Sequence, residues 1–154
     1  MKVGIIVHSH TGNTLSVAQK IKDQLIEAGH LVDLEQVTAV NEDPSAVANI
    51  QLKNSPEASQ YDALIFGAPV RGFSLSPVMM VYLKQLSAMK NKKVGCFVTQ
   101  AFPFEWMGGK RSVGQMKQIC ESQGFNVFDT GIVNWSSKQR EKKITGLLEK
   151  MSKV

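Results

Sequence analysis

Lys2-Val3-Gly4-Ile5-Ile6-Val7, running on into His8-Ser9-His10-Thr11-Gly12-Asn13-Thr14, is the stretch whose reading decides the fold. Its first half is a short apolar run, Val3, Ile5, Ile6 and Val7, of the length of a buried strand. From about residue 13 to 28 the period changes. Leu15, Ala18, Ile21, Leu25 and Ala28 recur at three- and four-residue steps, which predicts an amphipathic helix. The loop between them points backbone N–H groups and the positive end of a helix dipole at whatever lies above the strand. Ser9, Thr11 and Thr14 add hydroxyls, and Gly12 lets the backbone approach an anion closely. The loop holds no Lys or Arg, although a nucleoside triphosphate loop places a lysine at its phosphates. Hydroxyls and amides alone suit a single terminal phosphate. The plainer alternative is a turn in which Asn13 or Thr11 merely caps the helix.

Working outward, strand and helix patterns alternate to the C-terminus. Gly29 ends the first helix, and Leu31, Val32 and Leu34 open a second strand. A weak helix is expected from Asp43 and Pro44 to about Ile50, then a polar stretch over 51–59. Residues 61–67 read as a buried third strand and 68–76 as a loop. Ser76 and Pro77 then stand at the cap and first position of a helix that turns Val78, Tyr82 and Leu86 inward. Residues 93–99 form a fourth strand, 100–109 a long loop, and 110–123 a helix ended by Gly124. A fifth strand over 125–133 and a basic amphipathic helix over 138–151 complete the chain.

Five βα units with short apolar strands predict a single α/β domain over 1–154, a doubly wound parallel sheet with helices on both faces. Right-handed crossovers bring the loops after strands one, three and four to one edge of the sheet. With strand order 2-1-3-4-5 they converge at the switch point, where such sheets bind ligands.

With 154 residues the chain can bury a sizeable core. It shows no signal-peptide pattern and no run long enough to span a bilayer, so a cytoplasmic location is expected. Cys96 and Cys120 are not spaced as a metal site or a redox pair and read as buried inert thiols. The net charge is +5, without the aromatic-rich motifs of specific nucleic-acid recognition.

Ser9, Thr11, Gly12 and Thr14 match the fixed positions of the phosphate loop of the flavodoxin family, Thr/Ser-x-Thr-Gly-x-Thr, and Asn13 is common there too. The chain resembles a short-chain flavodoxin over essentially its whole length. The resemblance implies an FMN-binding electron-transfer protein cycling between oxidised, semiquinone and hydroquinone states. An FMN-dependent NAD(P)H or quinone oxidoreductase is the alternative; a non-redox module for another phosphorylated ligand is a third reading. By the same resemblance Ser9 to Thr14 hold the phosphate, where His10 either adds charge or is merely exposed.

Pro69, Val70, Arg71, Gly72 and Phe73 would flank the isoalloxazine ring, with the Gly72–Phe73 peptide near flavin N5. Arg71, and Phe73 where many flavodoxins carry an acidic residue, depart from the family pattern. Thr99, Gln100, Ala101 and Gly108 belong to the loop at the pyrimidine edge. Trp106, then Phe104, would stack on the flavin, or Phe102 and Phe104 would plug the core beneath. Trp135 reads as a core or rim residue. Flavodoxins are typically acidic, whereas this chain is basic. That implies an acidic redox partner and a second reduction potential less negative than theirs, because negative charge near the ring disfavours an anionic reduced flavin.

Overall fold

The computed structural model describes residues 1–43 and 49–154. Strand β1 (Lys2–Val7) leads into helix α1 (Asn13–Glu27) and strand β2 (Leu31–Gln36). A two-stranded antiparallel pair follows, β3 (Thr38–Ala39) with β4 (Leu52–Asn54). Then come β5 (Ala63–Arg71), β6 (Ser74–Leu75), α2 (Pro77–Gln85), β7 (Lys93–Gln100), α3 (Gly109–Ser122), β8 (Asn126–Asn134) and α4 (Arg140–Met151).

The main sheet runs β2-β1-β5-β7-β8 with every neighbour parallel, and β6 folds back antiparallel on β5 as a sixth strand. The expectation of a plain five-stranded sheet is corrected by β6 and by the separate β3–β4 pair. Both are two or three residues long, too short to carry a hydrophobic period. The weak helix anticipated over 43–50 falls on 44–48, outside the described residues.

Alternation along the strands decides which helix covers which face. Val3, Ile5 and Val7 of β1, with Ile65 and Phe97, pack under Val17, Ala18, Ile21 and Leu25 of α1 and Ile144, Leu147 and Met151 of α4. Ile6, Leu64, Phe66, Val94, Cys96 and Val98 pack on the other face, under Met79, Tyr82 and Leu83 of α2 and Met116 and Cys120 of α3. Each fully buried aliphatic side chain contributes about 1.5–3 kcal/mol, so the two apolar layers clamp the sheet from both sides. Helix α2 stops at Gln85, which leaves the expected inward residue Leu86 at its C-terminal cap, only half-buried. The strands' carboxyl ends share one edge, and β1, β5 and β7 are adjacent there.

Cys96 and Cys120 are free and buried, with sulfurs 4.0 Å apart across β7 and α3. The cysteine in β7 is held protonated by its contact with the other thiol and by burial. Among the described residues no cluster of His, Cys, Asp or Glu is arranged to hold a metal, and no helix is long and apolar enough to cross a membrane.

Candidate functional site

The loop after β1 turns into α1 through Gly12, the N-cap, whose φ of 94° lies in the left-handed region that favours glycine. The N-cap is a glycine without a side chain, so neither Asn13 nor Thr11 plays the plainer role. The Ser9 hydroxyl accepts from the Leu15 amide at 3.3 Å. Thr14 points inward, its hydroxyl 2.8 Å from that of Thr99, and this buried pair ties the first loop to the end of β7. His10 and Thr11 are exposed and Asn13 is half-buried.

Part of the second loop is strand. β5 continues to Arg71 because its last residues pair with β6, Val70 opposite Leu75 and Arg71 opposite Ser74. Gly72 and Phe73 are left as a two-residue hairpin turn with φ of 54° and 62°. Positive φ at both central residues is the turn that matches the twist of paired strands. Gln115 of α3 holds the hairpin from outside, accepting from the Ser74 hydroxyl at 3.0 Å and the Leu75 amide at 2.9 Å.

The third loop, residues 101–108, is fastened from behind. The Gln100 amide donates to the Phe102 and Phe104 carbonyls. Asn134, fully buried at the end of β8, donates to the Phe102 carbonyl at 3.1 Å and accepts from Lys143. The Ser136 hydroxyl donates to the Ala101 carbonyl, and Lys143 lies 3.4 Å from the Glu105 carboxylate. Gly108 caps α3, and a Cβ there would stand 2.6 Å from the Phe73 Cα; this close approach packs the third loop on the hairpin. Phe102 and Phe104 do not plug the core. They are exposed, Phe102 stacked on Phe73 and Phe104 on Trp106.

His10, Thr11 and Asn13, Pro69, Val70 and Arg71, and Thr99, Gln100 and Ala101 together line one cleft of about 330 Å³. All nine stand among the residues singled out in the sequence. Ser9, Gly12, Thr14, Gly72, Phe73, Phe104, Trp106 and Gly108 lie outside its lining. No carboxylate lines it. One side chain in the wall has an unpaired buried atom, the Gln100 side-chain oxygen. The donors fit FMN: a hydroxyl and the amides at the start of α1 at one end for a phosphate, then apolar walls with amide groups for a flat heterocycle.

Beside the cleft lies a cluster that the sequence did not disclose. His8, 1% exposed, places Nδ1 2.6 Å from the Ser76 hydroxyl and Nε2 2.9 Å from Glu42. Ser76 accepts the Met79 amide proton as the N-cap of α2, so its own proton goes to His8 Nδ1. Nε2–H then donates to Glu42, whose other oxygen accepts from the Ala39 amide at 2.8 Å. Burial pushes the imidazole below its ordinary value, although Glu42 pulls it up. Burial would raise the Glu42 carboxyl, but hydrogen bonds from His8 and the Ala39 amide outweigh it and hold it low. Arg71 lines both this small recess and the cleft. Partners 34 and 68 residues apart leave no local signal in sequence.

The model of a family described as NADPH-dependent FMN reductase matches residues 1–140. The chain belongs to that family. It is a flavodoxin-like FMN protein. The two-electron reduced flavodoxin of Megasphaera elsdenii is 25% identical and superposes with a TM-score of 0.72 over 99% of both chains. A Streptococcus pneumoniae flavodoxin gives 0.69 at 19% identity over the whole of both. A Lactobacillus acidophilus flavoprotein solved with FMN gives 0.64 at 20% identity, over 92% of this chain and 97% of its own. No curated protein matches the sequence.

Proposed function

We propose that this family member holds FMN in the three-loop cleft and exchanges electrons with a partner protein. FMN supplies the redox chemistry when bound, and the chain supplies binding, orientation and electrostatics. The Thr11 hydroxyl, with Ser9, Asn13 and the amides of the first turn of α1, holds the phosphate. His10 borders it. Thr99, Gln100 and Ala101 hold the pyrimidine edge, Pro69 and Val70 form a wall, and the Gly72–Phe73 turn borders the ring. Arg71 brings positive charge to the cleft, favouring a reduced, anionic ring.

The observation that carries this reading is the convergence of all three loops on one cleft of about 330 Å³, of the size a mononucleotide needs, with hydroxyls at one end and Pro69, Val70 and Ala101 in its walls. A partner reaches the outer edge of the ring from solvent. The family's description favours a second reading, in which NADPH delivers hydride directly to the cofactor.

Absorbance of FMN-loaded protein under anaerobic conditions separates the two. The flavin band is expected to persist with NADPH or NADH and to bleach with dithionite. Rapid bleaching by nicotinamide alone would establish the second reading.

A further inference from the structure

The His8–Ser76–Glu42 cluster stands outside the cleft lining yet is tied to its wall. His8 follows β1 directly, and its amide donates to the Gly67 carbonyl at 3.0 Å. Ser76, besides capping α2, donates its amide to the carbonyl of Pro69, a cleft residue, at 3.1 Å. Glu42 has one oxygen on His8 and the other on the Ala39 amide. A carboxylate fastened at both oxygens by hydrogen bonds is a negative charge fixed in place.

The recess beside this cluster measures about 10 Å³, between His8, Asn41, Glu42, Asp43, Arg71 and Ser76. That is the size of a single water and too small for a ligand, so its charges act on one another. Among the described residues Arg71 alone lines both the recess and the cleft. Its backbone is fixed by the pairing with Ser74, while its long side chain is half-buried between the two cavities. It is also the one permanently charged group in the nine-residue cleft lining. Its charge reaches both His8 and Glu42, although the ion pair of Glu42 is with His8 and none joins it to Arg71. A cation between a fixed carboxylate and the cleft divides its field between them.

We propose that Glu42 is a positioning residue for Arg71. It draws the guanidinium toward the recess and so limits how strongly the cleft prefers an anionic, reduced ring to a neutral, oxidised one. His8 acts one step further back, by keeping the carboxylate where it is. The inference deepens the reading of the cleft as an FMN site and rests on it. Two other titratable groups lie close by, His10 in the cleft wall and Asp43 at the recess, and each borders one cavity only. Arg71 is therefore the residue through which a charge in the recess is passed to the cleft.

The test compares the unaltered protein with Glu42→Gln, Arg71→Gln and the double variant. Spectroelectrochemical titration of the FMN-loaded forms gives the ratio of affinities for reduced and oxidised FMN. Glu42→Gln is expected to raise that ratio about ten-fold and Arg71→Gln to lower it by a similar factor. With residue 71 already Gln, Glu42→Gln should change the ratio by less than about two-fold. A full change persisting in that background would mean that the carboxylate acts on the ring by its own field, and the proposal would fall. A second measurement needs no flavin: the His8 ring followed by NMR across pH. Arg71→Gln should move its midpoint upward, because the guanidinium opposes a second positive charge beside it. An unmoved midpoint would take Arg71 away from the recess and overturn the proposal, even where Glu42→Gln fails to fold. FMN bound with a ratio indifferent to Glu42→Gln would sink the positioning role and leave the FMN reading standing. No FMN bound, with the His8 midpoint moved, would sink the FMN reading and leave Arg71 held at the recess.

Discussion

Residues 8–12 leave β1 and enter α1 within five positions, whereas residues 101–108 cross the sheet edge before α3 begins. The first loop is held by its own neighbourhood: Gly12 makes the turn, Ser9 takes an α1 amide, and one buried hydroxyl pair reaches out to Thr99. The third has one local tie, the Gln100 side chain, and is otherwise held from afar by Asn134, Ser136 and Lys143, which lie 30 or more positions on. A short loop between regular elements is specified locally, so its chemistry is written where it acts. A long one needs distant side chains to satisfy its carbonyls.

The largest break in this comparison comes from Asn134→Leu. It leaves the Phe102 carbonyl and the Lys143 ammonium short of a buried partner, at a cost of about 2–3 kcal/mol in stability. Amide hydrogen exchange is expected to quicken across residues 101–108 and stay unchanged in 9–14. Equal loosening of both loops would contradict separate fastening.

Thr11→Ala comes next. Loss of a hydroxyl donor to a charged phosphate should weaken FMN about ten-fold and leave riboflavin, which has no phosphate, nearly unaffected. Fluorescence-quenching titrations with the two ligands check this, and equal losses would remove Thr11 from the phosphate.

Sequence alone revealed the strand–loop–helix start, because Val3, Ile5, Ile6 and Val7 form a short apolar run of strand length while Leu15, Ala18, Ile21 and Leu25 follow a helical step. It also revealed the nine residues that line the cleft, since parallel topology forces the ends of β1, β5 and β7 together. The hairpin at Gly72 was hidden. Phe73 takes a positive φ that its side chain does not advertise, and two-residue β6 has no period to detect. Sequence left Phe104 open between stacking on the flavin and, with Phe102, plugging the core; in the fold their carbonyls are tied down while their rings face out. His8 stood in plain view, but its meaning depends on Glu42 and Ser76, which only the fold brings to it.

A sharper test of how the loops are joined is Thr99→Val. Removing one partner of the buried hydroxyl pair should cost about 1 kcal/mol in thermal unfolding and loosen both loops together, unlike Asn134→Leu.

The smallest effect is on pH. The His8 imidazole is held below its ordinary 6.5 in the folded protein, so on acidification the unfolded chain takes up that proton first. Stability is therefore full above about pH 6.5 and falls as pH drops below it, until the folded imidazole is protonated as well. The Glu42 carboxyl, held below 4.5, adds a second loss of the same sign at more acid pH. His8→Gln should flatten the first slope in denaturant unfolding and, by removing the imidazole beside Glu42, shrink the second. An unchanged first slope would mean that the imidazole is not buried neutral.

The most direct test of the cleft as an FMN site with its phosphate at residues 9–14 is the affinity of the unaltered protein for FMN against riboflavin. Fluorescence quenching at one salt concentration should show FMN bound at least a hundred-fold more tightly. Equal affinities, or an affinity for FMN no better than high micromolar, would contradict the account.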